Sequence, residues 1–460
     1  MKLDFSSYPL KTEGYSGRPM SFLDSGPSAI LTAVSELALI ETGDRVARER
    51  WQKTQLQNLF TFAIQRSNFW RQRLGNRRAE PKLDSLLILT RNDLKNQVAQ
   101  EGALLRPTDN LRTNPHATSG SSGTPVHFHI SQMNVQYNVA RYIAQDFIEG
   151  KDISTNRTRL KSTTLNKAKE IASLPSGFKV TKRPTWLGEL GSVFAGGPLK
   201  LIEFLNPVPR DLIRELRRDP VGQLIAYPRL VRAIVSYSGP EILKELRVVE
   251  WIALSEEIDR ELYASVAQQG IPILSNYSSE EVGPIAFECA AVPGHLHVAT
   301  SNVIVEISET KYELDGQRLG RVLVTHLHSY ATPFIRYDLG DLALLSERCP
   351  CGHDGPTLHN LRGRVANAIK KRDGTYSSFY VRGPELLKFV RFSEFRIRQV
   401  GLEKLVVELG GRSELSPSET SEVTSFVKER AGPTFDVEVL ARENIDWGES
   451  VKRQSFRCEI

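Results

Sequence analysis

The sequence predicts an α/β protein, with parallel β-sheet regions in a large amino-terminal part and a small α+β part at the carboxyl end. Three observations lead there. Between Asp211 and Ser279 short apolar runs alternate with helical patterns. That is the rhythm of βαβ units, whose parallel strands carry ligand chemistry at their C-terminal ends. A boundary falls near Leu361 to Arg364, and the residues beyond it read as a compact mixture of helix and strand. The length, 460 residues, asks for two to four domains at about 150 residues each.

The elements follow in order. The first 45 residues are rich in Ser, Gly and Pro and read as a loosely packed entry segment. Val46 to Leu74 reads as one long amphipathic helix, with Trp51, Leu56, Leu59, Phe60 and Ala63 at helical spacing. Asp84 to Ala103 gives shorter, polar helices. Val126 to Ile130 alternates like a strand, and Ser131 can cap a helix from Gln132 to Glu149. Residues 150 to 200 look loop-rich. Strands are expected at Gln223–Tyr227, Val248–Leu254 and Pro272–Tyr277, with helices at Pro228–Ser236 and Glu257–Gln269 between them. Val303–Ile307 and Arg321–Thr325 read as strands. In the last part, Pro384–Val390 and Ser418–Ala431 read as helices, and Phe395–Leu409 and Phe435–Leu440 as extended.

Composition excludes several classes. Hydrophobic residues make up 40% and charged residues 25%, ordinary values for a globular chain. No apolar run approaches the roughly 20 residues of a membrane helix, and the N-terminus has no apolar signal core. The reading is a cytoplasmic protein with no membrane partner. The net charge of +6 arises from 60 basic and 54 acidic residues that are interleaved along the chain, which argues against a nucleic-acid partner.

The strongest local signal is the run Thr118-Ser119-Gly120-Ser121-Ser122-Gly123-Thr124, followed by Pro125. Small residues leave backbone N–H groups free to face an anion, and the hydroxyls add donors for phosphate oxygens. A Walker A loop would need Gly-Lys-Ser/Thr opening into a helix, whereas here a proline and a strand follow.

Further motifs follow in order: Tyr277-Ser278-Ser279-Glu280-Glu281, then Thr332-Pro333-Phe334-Ile335-Arg336-Tyr337-Asp338-Leu339-Gly340-Asp341, then Leu361-Arg362-Gly363-Arg364, then Lys452. Together with the small-residue run they resemble the adenylate-forming superfamily of acyl-CoA synthetases, peptide-synthetase adenylation domains and luciferases. The match is closest to the phenylacetate–CoA ligase branch, which includes capsule-locus proteins. The resemblance spans Arg50 to the C-terminus.

It implies a multi-layer nucleotide- and carboxylate-binding domain over residues 1–362 and a small lid domain over 363–460. It implies that Thr118 to Thr124 hold the β- and γ-phosphates of ATP. Asn276, Tyr277 and Ser278 would lie against adenine. Glu281 would bind Mg²⁺, with Glu280 as a rival ligand. Asp341 would accept from both ribose hydroxyls, and Arg364 would help hold ribose or phosphate. Lys452 would be the catalytic lysine. The implied reaction makes an acyl-adenylate from a small aromatic carboxylic acid, releases pyrophosphate, and transfers the acyl group to CoA with release of AMP. The resemblance is compatible with a homodimer.

Two departures stand out. The family's acidic hinge residues are replaced by Ala366 and Asn367, and the glycine before the lysine is Val451. The hinge change bears on lid rotation and so on the acceptor. An amine or a carrier-protein thiol is the alternative to CoA, and a non-catalytic nucleotide-binding protein is the alternative of another class.

Cys349-Pro350-Cys351-Gly352 places two thiols on one turn, and Cys289 lies upstream, shortly before His295 and His297. Three Cys and one His make a closed tetrahedral Zn²⁺ site of the structural kind. Strand alternation puts His295 and His297 on one face, so either could complete it. The resemblance favours His297.

Overall fold

The computed structural model describes residues 25–460 apart from 76–81, 100–111, 119–125, 163–169, 172, 175–176, 205–207, 255, 257, 309–311, 315, 364–367, 380, 382 and 448–454. Of the expected site residues, Ser119, Gly120, Ser121, Ser122, Gly123, Thr124, Arg364 and Lys452 lie outside the described residues, as do Ala366 and Asn367.

Among the described residues a sheet of 15 strands forms the backbone of the large part. Its parallel region runs Ile273–Ser279, Val248–Leu254, Gly222–Ala226, Arg157–Ser162, Leu199–Phe204, closed by the antiparallel edge strand Phe178–Arg183. On the other side of Ile273–Ser279 the pairing turns antiparallel through Gly283–Glu288, His295–Val298, Thr357–Arg362, Tyr337–Ser346 and Gln317–His326. The hairpin Ala368–Lys370 and Tyr376–Ser378 extends this edge through Tyr312–Leu314. A separate sheet of four strands, Glu394–Gly401, Lys404–Gly410, Asp436–Arg442 and Phe456–Cys458, packs on the helix Pro417–Ala431.

The βαβ rhythm is present where the sequence predicts it. Helices Pro209–Leu216 and Pro228–Ser238 each begin with proline at the first turn, where a missing N–H costs nothing. They cover one face of the parallel strands, burying Leu160, Phe204, Leu224 and Trp251. In the small unit, Ser416 and Glu419 form a reciprocal capping box ahead of Pro417.

Three expectations are corrected. Residues 25–42 of the supposed entry segment form a helix whose apolar face, Ile30, Val34, Leu37 and Ala38, packs against Ala140, Ile143 and Phe147 of the helix Gln132–Ile148. The long helix at 46–74 is two helices, Arg45–Arg66 and Asn68–Leu74, divided at Ser67. Ser67 adopts extended torsions and its hydroxyl caps the second helix through Trp70 N–H, a local competition that favours serine at helix starts. Residues 150–200, read as loop, contribute strands Arg157–Ser162, Phe178–Arg183 and Leu199–Phe204. Their interspersed Lys and Arg hid the alternation.

A buried polar cluster fixes the helices Ser25–Thr42 and Gln132–Ile148 to the antiparallel region. Arg141, 2% exposed, pairs with Glu41 at 3.5 Å and donates to Ser301. Glu41 also accepts from Thr300 and from the Ser301 amide at 2.8 Å. His328 bonds Ser301 O at 3.0 Å and packs its ring, tilted by 32°, against Tyr137. His326 is fully buried beside it, and its ring nitrogens have no hydrogen-bond partner among the described residues. Burial pulls His328 down to about 4, with Arg141 adding to the effect, and pulls His326 well below its ordinary value, with His328 and Arg141 adding. Among the described residues no helix is long and apolar enough to cross a membrane.

Both imidazoles are therefore neutral in the folded chain, while an unfolded chain protonates them near pH 6.5. Between about pH 6.5 and 4 the unfolded state binds more protons, so stability falls as pH falls, by up to about 1.4 kcal/mol per pH unit per histidine. Urea unfolding at pH 7 and pH 5 should show this loss, and H328Q should lessen it. Equal slopes in the two proteins would contradict the assignment.

Candidate active site

The sequence motifs converge at the C-terminal end of the strand Ile273–Ser279. That strand runs into a tight turn, and Gly283 reverses the chain at φ +70°. A side chain at Gly283 would collide with the Asn138 amide, so the helix Gln132–Ile148 lies close over this turn. Asn302 ties the turn from below by donating to Val282 O and Pro284 O.

Glu281 is buried, whereas Glu280 is exposed. The Tyr337 hydroxyl donates to Glu281 Oε1 at 3.2 Å, and an Arg91 nitrogen lies 3.9 Å from the same oxygen. Arg91 also donates to Thr118 Oγ1 at 2.8 Å. Thr118, the first residue of the small-residue run, is buried and holds Val126 N–H through Oγ1 and Val126 O through its own N–H. One guanidinium thus joins the base of the run to the buried carboxylate. This positions a carboxylate beside the place where the run begins, a suitable arrangement for a divalent cation on phosphate oxygens.

Tyr277 donates to Asp341 Oδ2 at 2.7 Å. Asp341 sits on the strand Tyr337–Ser346, just after Gly340 at φ +85°. A carboxylate offers about four lone-pair sites, so the tyrosine bond leaves capacity for a diol. Asn276 is half-buried opposite Phe287, and Ser278 is exposed near the same turn.

Arg336, within the second motif, adopts the left-handed region at φ 55°, which costs a non-glycine residue about 1–3 kcal/mol. It is held there by many partners. Its guanidinium meets Glu306 at 3.0 Å and the carbonyls of Asp84 and Leu86, its N–H donates to Thr325 Oγ1, and its carbonyl accepts from Leu89 N–H. These bonds place residues 84–89 against the motif, and Arg91 follows two residues later. Arg91 gave no sequence signal, because it lies in a helix that reads as polar surface.

The four expected metal ligands also come together. Donor atoms of Cys289, His297, Cys349 and Cys351 all lie within 4.8 Å of one another, and His297 Nε2 is 3.5 Å from Cys351 Sγ. Two turns build the cluster. In one, Cys289 N–H bonds His295 O, with Gly294 at φ +79°. In the other, Gly352 N–H bonds Cys349 O, with Gly352 at φ +96°. His295 instead stacks on His359, its cross-strand partner. Burial pulls His297 down to about 4, with His353 and His295 adding to the effect. A neutral imidazole is the ligand form. Tetrahedral Zn²⁺ with S at about 2.3 Å and N at about 2.0 Å places its donors about 3.5–3.8 Å apart, so the three sulfurs and one nitrogen fit with a small inward movement. Cys458 lies in the four-stranded sheet, apart from this group.

No protein-family model matches the chain and no curated protein matches it. Solved structures do. A 2-hydroxyisobutyryl-CoA ligase in the postadenylation state, in complex with R3-HIB-AMP, is similar over 92% of this chain and 91% of its own, with TM-score 0.60 and 16% identity. The same ligase with 2-HIB-AMP and CoA in the thioesterification state aligns over 98% of this chain and 96% of its own, with TM-score 0.57 and 15% identity. Its open conformation with 2-HIB-AMP and CoA covers 91% and 93%, with TM-score 0.54 and 15% identity. At these identities the likeness establishes the fold. The chain has the adenylate-forming acyl-CoA ligase fold, a large α/β region with a smaller C-terminal unit.

The Tyr337–Glu281 bond is testable on its own. Y337F removes a donor from a buried carboxylate and should lower stability by about 1–3 kcal/mol in urea unfolding. A change of a few tenths would show that Glu281 does not depend on it.

Proposed function

We propose that the chain is an ATP-dependent ligase of the phenylacetate–CoA ligase-like branch. It activates a small carboxylic acid of aromatic size as an acyl-adenylate and then forms a thioester with CoA. The observation that carries this reading is the junction of Thr118, Arg91, Glu281 and Tyr337, with the Tyr277–Asp341 pair on the same side of the fold. The fold likeness to ligases bound to acyl-AMP and CoA supports it.

In this reading the small-residue run from Thr118 to Thr124 cradles the β- and γ-phosphates, and Asp341 orients the ribose while Tyr277 holds Asp341. Asn276 and Ser278 border the adenine. Mg²⁺, held by Glu281, would offset phosphate charge. The substrate carboxylate oxygen bonds to the α-phosphorus as the bond to the β-phosphate bridging oxygen breaks, and pyrophosphate leaves. Charge that grows on the α-phosphate oxygens is stabilised by fixed donors, with Lys452 delivered by the lid. The CoA sulfur then bonds to the acyl carbon and AMP leaves. Arg364 assists at the ribose or phosphate.

We assign the division of labour to residues 1–362 and a lid of residues 363–460, and place the protein in the cytoplasm, as a homodimer. The Cys289–His297–Cys349–Cys351 cluster is proposed to hold a structural Zn²⁺. It would clamp the segment following Glu281 to the segment following Asp341, so that two edges of the nucleotide site keep one register. Ala366 and Asn367 in place of acidic hinge residues favour a second reading of the acceptor step alone, with an amine or a carrier-protein thiol replacing CoA.

Pyrophosphate release screened over carboxylic acids, with mass analysis of products after adding CoA or amines, tests the function. Acid-dependent release is expected, and K452A should reduce it at least a hundredfold while leaving the circular dichroism spectrum unchanged. ATP binding with no release for any acid would instead point to a nucleotide-binding protein. Metal analysis should find one zinc per chain, lost in C349S together with a lower melting temperature. A zinc-free protein purified without chelators would refute the metal centre.

A further inference from the structure

The sheet face beneath the helix Gln132–Ile148 carries a cation that the proposed chemistry does not use. Paired residues on neighbouring strands share a face. Register therefore sets Arg159, Ile225, Ile252 and Leu274 in one row across four parallel strands. In the row beside it, Leu254, Asn276 and Phe287 are aligned. The helix covers this face. The Tyr142 ring meets Phe287 edge-on at 5.9 Å between centroids, and Asp146 pairs with Arg157, two residues before Arg159 on the same strand face.

Between helix and sheet the surface is apolar and open. Val135, Val139 and Tyr142, at the i, i+4 and i+7 positions of the helix, are 42%, 44% and 37% exposed. A helix normally turns such a stripe inward. Here the inward face is the other one, Ala140, Ile143, Ala144 and Phe147 against the helix Ser25–Thr42. The Tyr142 hydroxyl end lies beside Ser278 and within electrostatic reach of Arg159 and Glu280.

The charges in the row before Arg159 have partners. Arg157 is bound by Asp146 and Gln223, and Glu250 by Lys151. Glu203 lies level with Lys161 and Lys179 in the next row. Arg159 is exposed and makes no ion pair among the described residues. An exposed guanidinium with no ion pair among the described residues, set within a row of Leu201, Ile225, Ile252 and Leu274, is a recognition group for an anion.

We propose that Arg159 selects the substrate acid, which carries a second anionic group at the end of its apolar body remote from the carboxylate that is activated. This rests on the adenylate-forming reading above. Three strand spacings separate the backbone of Arg159 from that of Leu274, about 14 Å. The apolar row between them is long enough to lie along an arene or a medium alkyl chain. A para-disubstituted arene or a medium-chain diacid has such a body. The apolar row and the helix stripe would hold the body, and the guanidinium would bind the distal carboxylate, sulfate or phosphate.

The test compares acid-dependent pyrophosphate release for phenylacetate, 1,4-phenylenediacetate and 4-(aminomethyl)phenylacetate in the wild type, R159Q and R159E. The wild type should prefer the diacid over the monoacid by at least tenfold in kcat/KM, carried mainly by KM. R159Q should lower that ratio at least tenfold, with monoacid turnover in the same variant as the internal reference for folding. R159E should shift preference toward the amine-bearing acid. A diacid-to-monoacid ratio near one in the wild type, or one unchanged in R159Q, would overturn the proposal while leaving the ligase assignment intact. Absence of pyrophosphate release with every acid would overturn the ligase reading beneath it.

Discussion

The site depends on one buried carboxylate. Glu281 sits where the parallel strands end, out of reach of bulk water, and its charge is supported by the Tyr337 hydroxyl and the nearby Arg91 guanidinium. Burying a carboxylate without partners is costly, so its position constrains each element that supplies one. Tyr337 is set by the strained Arg336 before it, and Arg91 by the segment that Arg336 holds. Arg91 in turn fixes Thr118, from which the small-residue run departs. Segments far apart in sequence are thereby brought to one point.

Around this point the fold keeps its edges in register by two further devices. The buried Arg141–Glu41–Ser301 cluster secures the helix Gln132–Ile148 from the side away from the site. That leaves the opposite, apolar stripe of the helix open toward the parallel strands. The cysteine and histidine cluster joins the turn after Gly283–Glu288 to the turn after Tyr337–Ser346. Each device stands outside the proposed nucleotide site and ties elements that border it.

What is legible in the sequence follows physical range. Glu281, Tyr277 and Asp341 stand in short motifs at a turn or a strand end, and the resemblance of those motifs to a known family singles them out, whereas the cysteine pair is marked by its own spacing. The strands Gly222–Ala226 and Val248–Leu254 show because their runs are almost continuously apolar. The strand Arg157–Ser162 does not, because its sheet face toward the helix alternates through Arg157, Arg159 and Lys161. The helix Ser25–Thr42 is hidden because the Ser, Gly and Pro that precede and open it mask its apolar face. Arg91 and Glu41 act through partners hundreds of residues away or across the fold, and no local pattern marks them.

The central claim is that the Glu281 carboxylate, and not its neighbour, completes the nucleotide site. The direct measurement is acid-dependent exchange of labelled pyrophosphate into ATP by the wild type, E281Q and E280Q. E281Q is predicted to lose exchange by at least a hundredfold, and E280Q to retain it within a few-fold. Exchange retained in E281Q and lost in E280Q would contradict that claim.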